Sequence, residues 1–483
     1  MKRPYDKRIS PILIFSGQMN KLPDTAIQTM KSIFIILDSG SAIRNILRTD
    51  VFKILKTDSN LKIVIFSPIT NDEFKEEFSA ENVFIEPTPR KKPNPIVKLL
   101  QSVKKDLWAN NTKLFTFKQK REKRKGRFIR RFALKALTAK SSNGSLDPYI
   151  KFLERLELFF TPSIADNYFK KYKPDLICYT SIYSNYLCIE VQGQKRGIKT
   201  ICLIQSWDNP TSKGPFPVRP DRVVVWNNIL KDEVVDYHDF AEDKVFISGA
   251  PQFDIYTDKA NFLPKDKFFE KWGLDTDRKL ITYTTGTPGT APFDHEVIEL
   301  LYEAFQKDSF INPSQLLIRL HPKDKYSYYK KFEDNPYLVI QRPGRPAQTN
   351  DSWNPTREDM YGLAELMNYS DVVINVASTI TIDAVAFDTP VINVAFDGDK
   401  TKPYKDSCKR YYDYDHYKNI VKTGGIKIAY SIEELIDYTN LYLKNPSIDA
   451  EGREAIREEQ CWKLDGNSGK RIAEYILQYL MAK

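Results

Sequence analysis

Cysteine is scarce in this 483-residue chain, and the few present narrow the field. Cys178, Cys188, Cys202, Cys408 and Cys461 are odd in number and form no CxxC pair, which argues against a zinc site or a disulfide framework and for a reducing compartment. Long apolar runs are missing as well: no stretch approaches the roughly 18–20 residues that span a bilayer. Near the N-terminus only residues 12–15 are continuously apolar, and no cleavage-like site follows them, so no secretory leader is expected. Repeats of 20–50 residues are absent, and no GK[ST] string marks a Walker loop. Histidine is rare, with four in all, so each one near a predicted strand end draws attention.

What the chain does have is core material. Hydrophobic residues make up 41% and aromatics 13%, enough to fill two or more domains over this length. The net charge of +10 is unevenly placed: residues 90–140 hold 18 Lys or Arg against two acids, Asp106 and Glu122, which leaves the rest of the chain mildly acidic. In that insert the cations alternate with Leu99, Leu100, Trp108, Phe115, Phe117, Phe128, Phe132 and Leu137. Such a mixture suits an anionic membrane surface, where each cation contributes about 1 kcal/mol and apolar side chains enter the interface; the plain alternative is a disordered, solvated loop. Nucleic acid is the second-ranked partner, because the body is acidic and contains no DNA or RNA module.

Short β-branched runs alternate with helical spacing along most of the sequence, which predicts parallel α/β sheets. Strands are expected at 32–38, 62–66, 83–85, 175–180, 199–205, 222–226 and 244–248. A second series is expected at 280–284, 315–320, 338–341, 371–376 and 390–394. A helix is predicted over 43–55, another over 148–173, and a linker over 249–263. The expected fold class is α/β, with two Rossmann-like doubly wound domains facing a cleft and a basic helical insert in the first. The boundaries read from the sequence are an extension at 1–31, a first domain at 32–255 with the insert at 90–147, a second domain at 256–466, and a last helix at 467–483.

Several segments at predicted strand ends are poor core material. Asp371-Val372-Val373-Ile374-Asn375-Val376 leads into the small turn Ala377-Ser378-Thr379. A helix starting there would offer N–H groups and its positive end to a phosphate, with Asp383 one turn on for ribose hydroxyls; the same spacing also fits a plain N-cap and a solvated acid. In Ile318-Arg319-Leu320-His321-Pro322-Lys323, Arg319 and His321 alternate and can reach phosphate oxygens from one side. Thr285, Gly286 and Thr287, in the loop 284–290, can bring backbone N–H groups to a phosphate or form a plain flexible turn. In the first half, Gly40 allows a tight turn, and Arg44 and Asn45 beside it could meet an anionic acceptor. Gln205-Ser206-Trp207-Asp208-Asn209-Pro210-Thr211-Ser212-Lys213-Gly214 supplies Trp207, Asn209 and Lys213 as further acceptor contacts. Asp208 in that run is either the general base or the cap of a turn. Asp294 and His295 form a second acid/base pair at a position that also fits a helix cap. Asp413-Tyr414-Asp415 matches a metal-holding acid pair, but it lies among tyrosines with no strand before it, so no metal is expected.

The run Ser378-Thr379-Ile380-Thr381-Ile382-Asp383-Ala384 followed by Asp388-Thr389-Pro390-Val391-Ile392 resembles the donor-binding element of GT-B enzymes and UDP-GlcNAc 2-epimerases. There, small or hydroxyl residues hold the pyrophosphate and an acid holds the ribose; this chain has Asp where that element has Glu. His321-Pro322 after a strand is similar to nucleotide-sugar transferases, including CDP-glycerol glycerophosphotransferases. Residues 205–214 resemble a run in bacterial surface-polysaccharide transferases. The resemblance covers residues 32–483 apart from the insert. It implies a metal-independent, inverting glycosyl transfer without a cofactor, from a nucleotide-sugar donor to a lipid-linked or polysaccharide acceptor. The expected place is cytoplasmic, peripheral at the inner face of the plasma membrane. Polyol-phosphate transfer from CDP-glycerol or CDP-ribitol is the alternative, and a sugar epimerase or non-catalytic binding protein the third reading.

Overall fold

The short apolar runs become parallel strands because helices cover both faces of each sheet. In the computed structural model, which describes residues 30–90, 92–122, 147–162, 164–180, 188–311, 313–333, 335, 338–344 and 353–482, they form two such sheets. The first contains β1 (Lys31–Ile36), β2 (Leu61–Ser67), β3 (Val83–Pro87), β4 (Leu176–Tyr179), β5 (Lys199–Leu203), β6 (Arg222–Val225) and β7 (Val245–Ile247). Their spatial order is β3-β2-β1-β4-β5-β6-β7. The second contains β8 (Lys279–Thr284), β9 (Ser314–Arg319), β10 (Leu338–Gln341), β11 (Val372–Asn375), β12 (Val391–Val394) and β13 (Lys427–Ala429), in the order β10-β9-β8-β11-β12-β13. All recorded pairings are parallel, with β1 registered between β2 and β4 and β8 between β9 and β11.

Each sheet therefore reverses direction once, between β1 and β4 in the first and between β8 and β11 in the second. A doubly wound sheet opens a crevice beyond the carboxyl ends of its strands at that reversal. Both reversals open onto one cleft of about 1320 Å3.

Local chemistry explains where elements depart from the sequence reading. The helix expected over 43–55 is two helices, Gly40–Leu47 and Asp50–Thr57. Between them Thr49 is extended, and its hydroxyl donates to the carbonyls of Asn45 and Ile46, closing the first helix. The helix expected over 148–173 is likewise split into Asp147–Phe160 and Asp166–Tyr172. Pro162 lies in the break and has no N–H to continue the ladder. Strand β13 was not expected; its three residues follow Gly424 and Gly425, too short a run to register as apolar alternation. The supposed linker is a buried joint: Phe253, Ile255 and Tyr256 sit in the core on the turn Pro251–Thr257. Asp254 in that turn accepts from the N–H groups of Ser468 (2.9 Å) and Gly469 (2.7 Å), capping the last helix, Ser468–Met481. That helix buries Ile472, Ala473, Ile476 and Leu480 against the first domain, and Gly469 lets it approach the backbone of Asp50 and Val51.

Part of the basic insert is integral to the first domain. Helix Pro95–Thr112 buries Val97, Leu107 and Trp108, and Phe117 follows on Phe115–Glu122. Trp108 Nε1 donates to Tyr237 O (2.6 Å). Lys104 is fully buried, paired with Glu157 at 2.9 Å and donating to the carbonyls of Phe216 and Pro217. Trp108 and Phe117, assigned above to a membrane surface, are thus core residues; Phe128, Phe132 and Leu137 lie outside the described residues.

Candidate active site

The second-sheet side of the cleft is built from the loops after β8, β9 and β11. After β8, the Asp294 carboxylate accepts from Gly286 N (2.6 Å) and from the Tyr283 hydroxyl (2.7 Å), which fixes the Thr285-Gly286-Thr287 loop. Burial pushes the Asp294 carboxyl up to about 7 against those two hydrogen bonds. Asp294 is thus a loop anchor on the first turn of helix Asp294–Gln306, while His295 stacks on Tyr328. The β8 and β9 loops are joined, because Thr285 Oγ1 accepts from His321 N at 2.8 Å.

Arg319 ends β9 and donates to Gln341. Burial lowers its guanidinium to about 10, partly opposed by Asp359, Tyr256 and Asp383, so it stays charged near neutrality. His321 differs: burial, then Lys323, lower it to about 4, so it is neutral. Its Nδ1 accepts from Lys323 N (3.1 Å), a network that puts the ring proton on Nε2 as a single donor. After β11, the turn Ala377-Ser378-Thr379 leads into a helix of only six residues, Ile380–Val385, and Thr379 makes no side-chain cap. The Ser378 hydroxyl instead accepts from Ile380 N (3.2 Å). Beneath this turn lies a polar network that sequence reasoning missed. Thr381 Oγ1 meets Asn375 Oδ1 (3.2 Å) and the Tyr417 hydroxyl (2.9 Å), and Tyr417 donates to Asn393 Oδ1 (2.5 Å), all in full burial. A buried hydrogen-bonded network holds the turn above it to one geometry, with Asn375 Nδ2 the one group in it that has no partner. Asp383 reaches the cleft, but one of its oxygens accepts from the Tyr256 hydroxyl (2.5 Å). Burial raises its carboxyl to about 6, opposed by Tyr256, Arg44 and Arg319.

The first-sheet side is assembled differently. Gly40 lines the cleft, yet its lack of a side chain serves contact between the domains: a Cβ there would lie 2.0 Å from the Trp353 carbonyl oxygen. One residue-turn on, Arg44 stands 6.0 Å from the Trp353 ring centroid, and Arg48 donates to Asn354 Oδ1 (2.8 Å). Asn45, expected to touch acceptor, does not line the cleft. It is buried behind it, accepting from Arg44 Nε (2.9 Å) and approaching Gln205 O.

The loop after β5 brings Trp207, Asp208, Asn209 and Lys213 to the cleft. Trp207 is packed edge-on against His416 (4.9 Å between centroids, 84°) and Tyr417 (5.3 Å, 61°) of the second domain, so it is a wall between lobes. The Asp208 carboxylate accepts from Ser206 (2.7 Å), Ser212 (2.5 Å) and Asn209 (3.3 Å), with Lys213 Nζ at 3.7 Å. Burial alone would raise this group, but Lys213, His416 and the two serines outweigh it and hold it well below the usual carboxylate range. A carboxylate so stabilised anchors neighbours better than it abstracts protons. Asp415 is occupied as well, accepting from Thr116 N and Oγ1 (both 2.9 Å), and no group of three or more potential metal ligands occurs among the described residues.

The cleft thus gathers every nominated donor-side residue, and all nominated first-domain residues except Asn45. Tyr256, Trp353, Arg410 and His416 also line it, and periodicity or strand-end position gave no signal for them.

No curated protein sequence matches the chain. Among solved structures, the UDP co-structure of S. aureus MnaA aligns with a TM-score of 0.54 at 11% identity, covering 93% of this chain and 97% of that one. UDP-GlcNAc 2-epimerase from Neisseria meningitidis, bound to UDP-GlcNAc, aligns at 0.52 and 12%, covering 92% and 100%. A glycosyltransferase from Rickettsia africae aligns at 0.50 and 14%, covering 94% and 99%. At such identities the likeness establishes the two-domain GT-B fold. The family model described as CDP-glycerol:poly(glycerophosphate) glycerophosphotransferase matches residues 216–478, more than half of the sequence and all of the second sheet, and the chain belongs to that transferase family.

Proposed function

We propose that the chain transfers a polyol phosphate from a CDP-linked donor to a hydroxyl of a growing cell-surface polymer, a reading that ranks ahead of sugar transfer. The observation that carries it is the gathering of Arg319, His321, the Gly286 loop and the Ser378-Thr379 turn at the second sheet's reversal, within the span matched by the family. Arg44, Lys213, Lys323 and Arg410 add cations from both domains. The acids Asp208, Asp324, Asp359 and Asp383 already accept hydrogen bonds from protein donors. A reaction whose electrophile is itself a phosphate, and whose acceptor is a polyanion, uses such an arrangement fully. Arg319, the neutral Nε2–H of His321 and backbone N–H groups of the Gly286 loop would stabilise the departing nucleotide. No step calls for a cofactor.

Product identity separates the two chemistries. Attack at the terminal phosphorus of a CDP-polyol releases CMP, whereas attack at the anomeric carbon of a nucleotide sugar releases a nucleoside diphosphate. Calorimetry with CDP-glycerol, CDP-ribitol, UDP-glucose and UDP-GlcNAc, followed by phosphorus NMR of the products, decides the matter. CDP-polyol binding with CMP release is expected. Binding of UDP-sugars alone, with UDP release, would establish sugar transfer, and no binding by any donor would remove the assignment.

The acceptor suggests a place. Helices Pro95–Thr112 and Asp147–Phe160 meet where Asn94 Nδ2 donates to Phe160 O, and Ile96, Leu99 and Phe159 (77% exposed) stand in solvent at that end. No helix of the described residues is long and apolar enough to cross a membrane. Peripheral docking on anionic lipid at the inner face of the plasma membrane, aided by the basic insert, fits these features. Cosedimentation with phosphatidylglycerol vesicles that falls on Phe159→Ser and at high salt supports docking; equal recovery with neutral vesicles removes it.

A further inference from the structure

Two imidazoles line the cleft among the described residues, and their surroundings differ. His321 is buried beside Lys323, and its Nδ1 already accepts a backbone hydrogen bond, so it is a weak base near neutrality. His416 opens helix Asp415–Val421, on the opposite wall from the loop after β5. Its ring stands edge-on to Trp207, and the next residue in sequence after Trp207 is Asp208. The electrostatic attraction between His416 and Asp208 is among the strongest acting on that carboxylate. Ser206 and Ser212 hold the carboxylate from their side, one on each oxygen. Below His416, the Thr381–Tyr417–Asn393 network fixes the helix that carries it.

Resting on the transferase reading above, we infer that His416 is the general base of the reaction and that Asp208 is its positioning residue, the pair being completed only when the two domains face each other. The acceptor hydroxyl oxygen forms a bond to the donor's terminal phosphorus, and the bond from that phosphorus to the CMP oxygen breaks. CMP leaves with the electron pair, and the hydroxyl proton passes to the His416 imidazole. The Asp208 carboxylate stabilises the imidazolium and is not itself protonated. This assignment moves the proton away from Asp208, whose hydrogen bonds suit an orienting role, and it gives the Trp207 wall a function: it sets the ring plane of the base.

Charged and titratable groups face His416 from each neighbouring element. Asp208 faces it from the β5 loop with Lys213 beside that carboxylate, and Glu233 of helix Asn228–His238 lies near Asp208 and Asp415. Tyr414, Asp415 and Tyr417 adjoin it on its own element, and Arg410 and Tyr411 on the preceding turn. Burial, with Asp415 and Asp208 nearby, drives Glu233 well above the carboxylate range, and Asp208 attracts the ring electrostatically.

The test is a pH–rate profile of purified full-length enzyme, with donor affinity measured alongside. The wild type should lose kcat/KM as pH falls through the imidazole range. His416→Gln should lower kcat by roughly 10²–10⁴-fold with donor Kd unchanged, and its acid limb should vanish. In His416→Gly, added imidazole should restore part of the rate, which a merely structural role would not allow. Asp208→Asn should move the acid limb to lower pH, because the ring loses the anion that favours its charged form. Donor binding intact with the limb unchanged in His416→Gln overturns the proposal and leaves the transferase reading standing; a wild type that binds no nucleotide donor overturns the transferase reading itself.

Discussion

At the second sheet's reversal, the loops after β8, β9 and β11 are pinned from beneath: Asp294 holds Gly286, Thr285 holds His321, and the Asn375–Thr381–Asn393–Tyr417 network holds the Ser378 turn. At the first sheet's reversal, the same strand order carries loops whose contacts run across to the other domain: Gly40 against Trp353, Arg48 to Asn354, Trp207 against His416. One reversal is preorganised within its own domain, while the other gains its geometry from the partner lobe. A site that must recognise one small nucleotide gains from the first arrangement. A site that must admit and release a polymer end gains from the second, because lobe opening loosens it without disturbing the donor loops.

Removing a charged group from the preorganised side should have the largest consequence. Arg319→Ala should lower kcat/KM by roughly 10²–10³-fold, as loss of a donor aimed at developing phosphate charge does. The melting temperature should fall little, since Arg319 contributes one hydrogen bond to Gln341. Steady-state kinetics with CDP-glycerol checks this, and a loss below threefold would mean that the donor phosphates sit elsewhere.

Asp294→Asn sharpens the same side. An amide can accept from Tyr283 but would turn its NH2 toward Gly286 N–H, displacing the loop. Donor KM should rise about tenfold, the equivalent of one spoiled buried hydrogen bond, with acceptor KM unchanged. The wild-type carboxyl keeps its proton up to about 7 in the folded chain, whereas unfolded Asp releases it near 3.9, roughly. Between these values the native state binds more protons, so this group's contribution to stability falls as pH rises. Urea titrations from pH 4.5 to 7.5 should show a flatter pH dependence in Asp294→Asn than in wild type.

Gly40→Ala tests the cross-lobe side. Its Cβ would overlap the Trp353 carbonyl, so the lobes must part or the loop must move. A stability loss of about 1–3 kcal/mol is expected, along with a several-fold rise in acceptor KM and little change in donor Kd. An equal rise in donor Kd would show that the two sides are not separable.

This asymmetry also governs what was legible in the sequence. Every strand but the three-residue β13 was readable, because fully buried parallel strands, such as Ile33-Phe34-Ile35-Ile36, are continuous apolar runs. Donor-side residues were readable because they stand within a few positions of strand ends: Arg319 ends β9 and Ser378 follows β11 by three residues. The cross-lobe residues carry no such mark. Trp353 lies in a proline-bearing stretch whose sequence shows no strand pattern, and His416 follows a tyrosine-rich turn. Tyr256 sits in what reads as a linker. Their positions depend on contacts with residues over a hundred places away, such as Tyr256 with Asp383, and local pattern cannot report those. The same limit explains Trp108 and Phe117, whose mixture with cations looks like a membrane surface until the helix carrying Trp108 is seen packed on Tyr237.

Asn45 is the smallest and most pointed test, because it is adjacent to Arg44 in sequence yet lies on the other side of the helix from the cleft. Its amide accepts from Arg44 Nε and faces Gln205 O, tying helix Gly40–Leu47 to the start of the loop that carries Trp207. Arg44 keeps its place over Trp353 and its attraction to Asp383 without it. Asn45→Ala should therefore cost about 1 kcal/mol of stability, the usual net worth of one hydrogen bond, and leave donor and acceptor KM within about twofold. If instead acceptor KM rose tenfold with stability intact, the first reversal would be reading substrate through its own loop, and the contrast between a preorganised and a lobe-dependent side would fail at the residue where it is most exposed to failure.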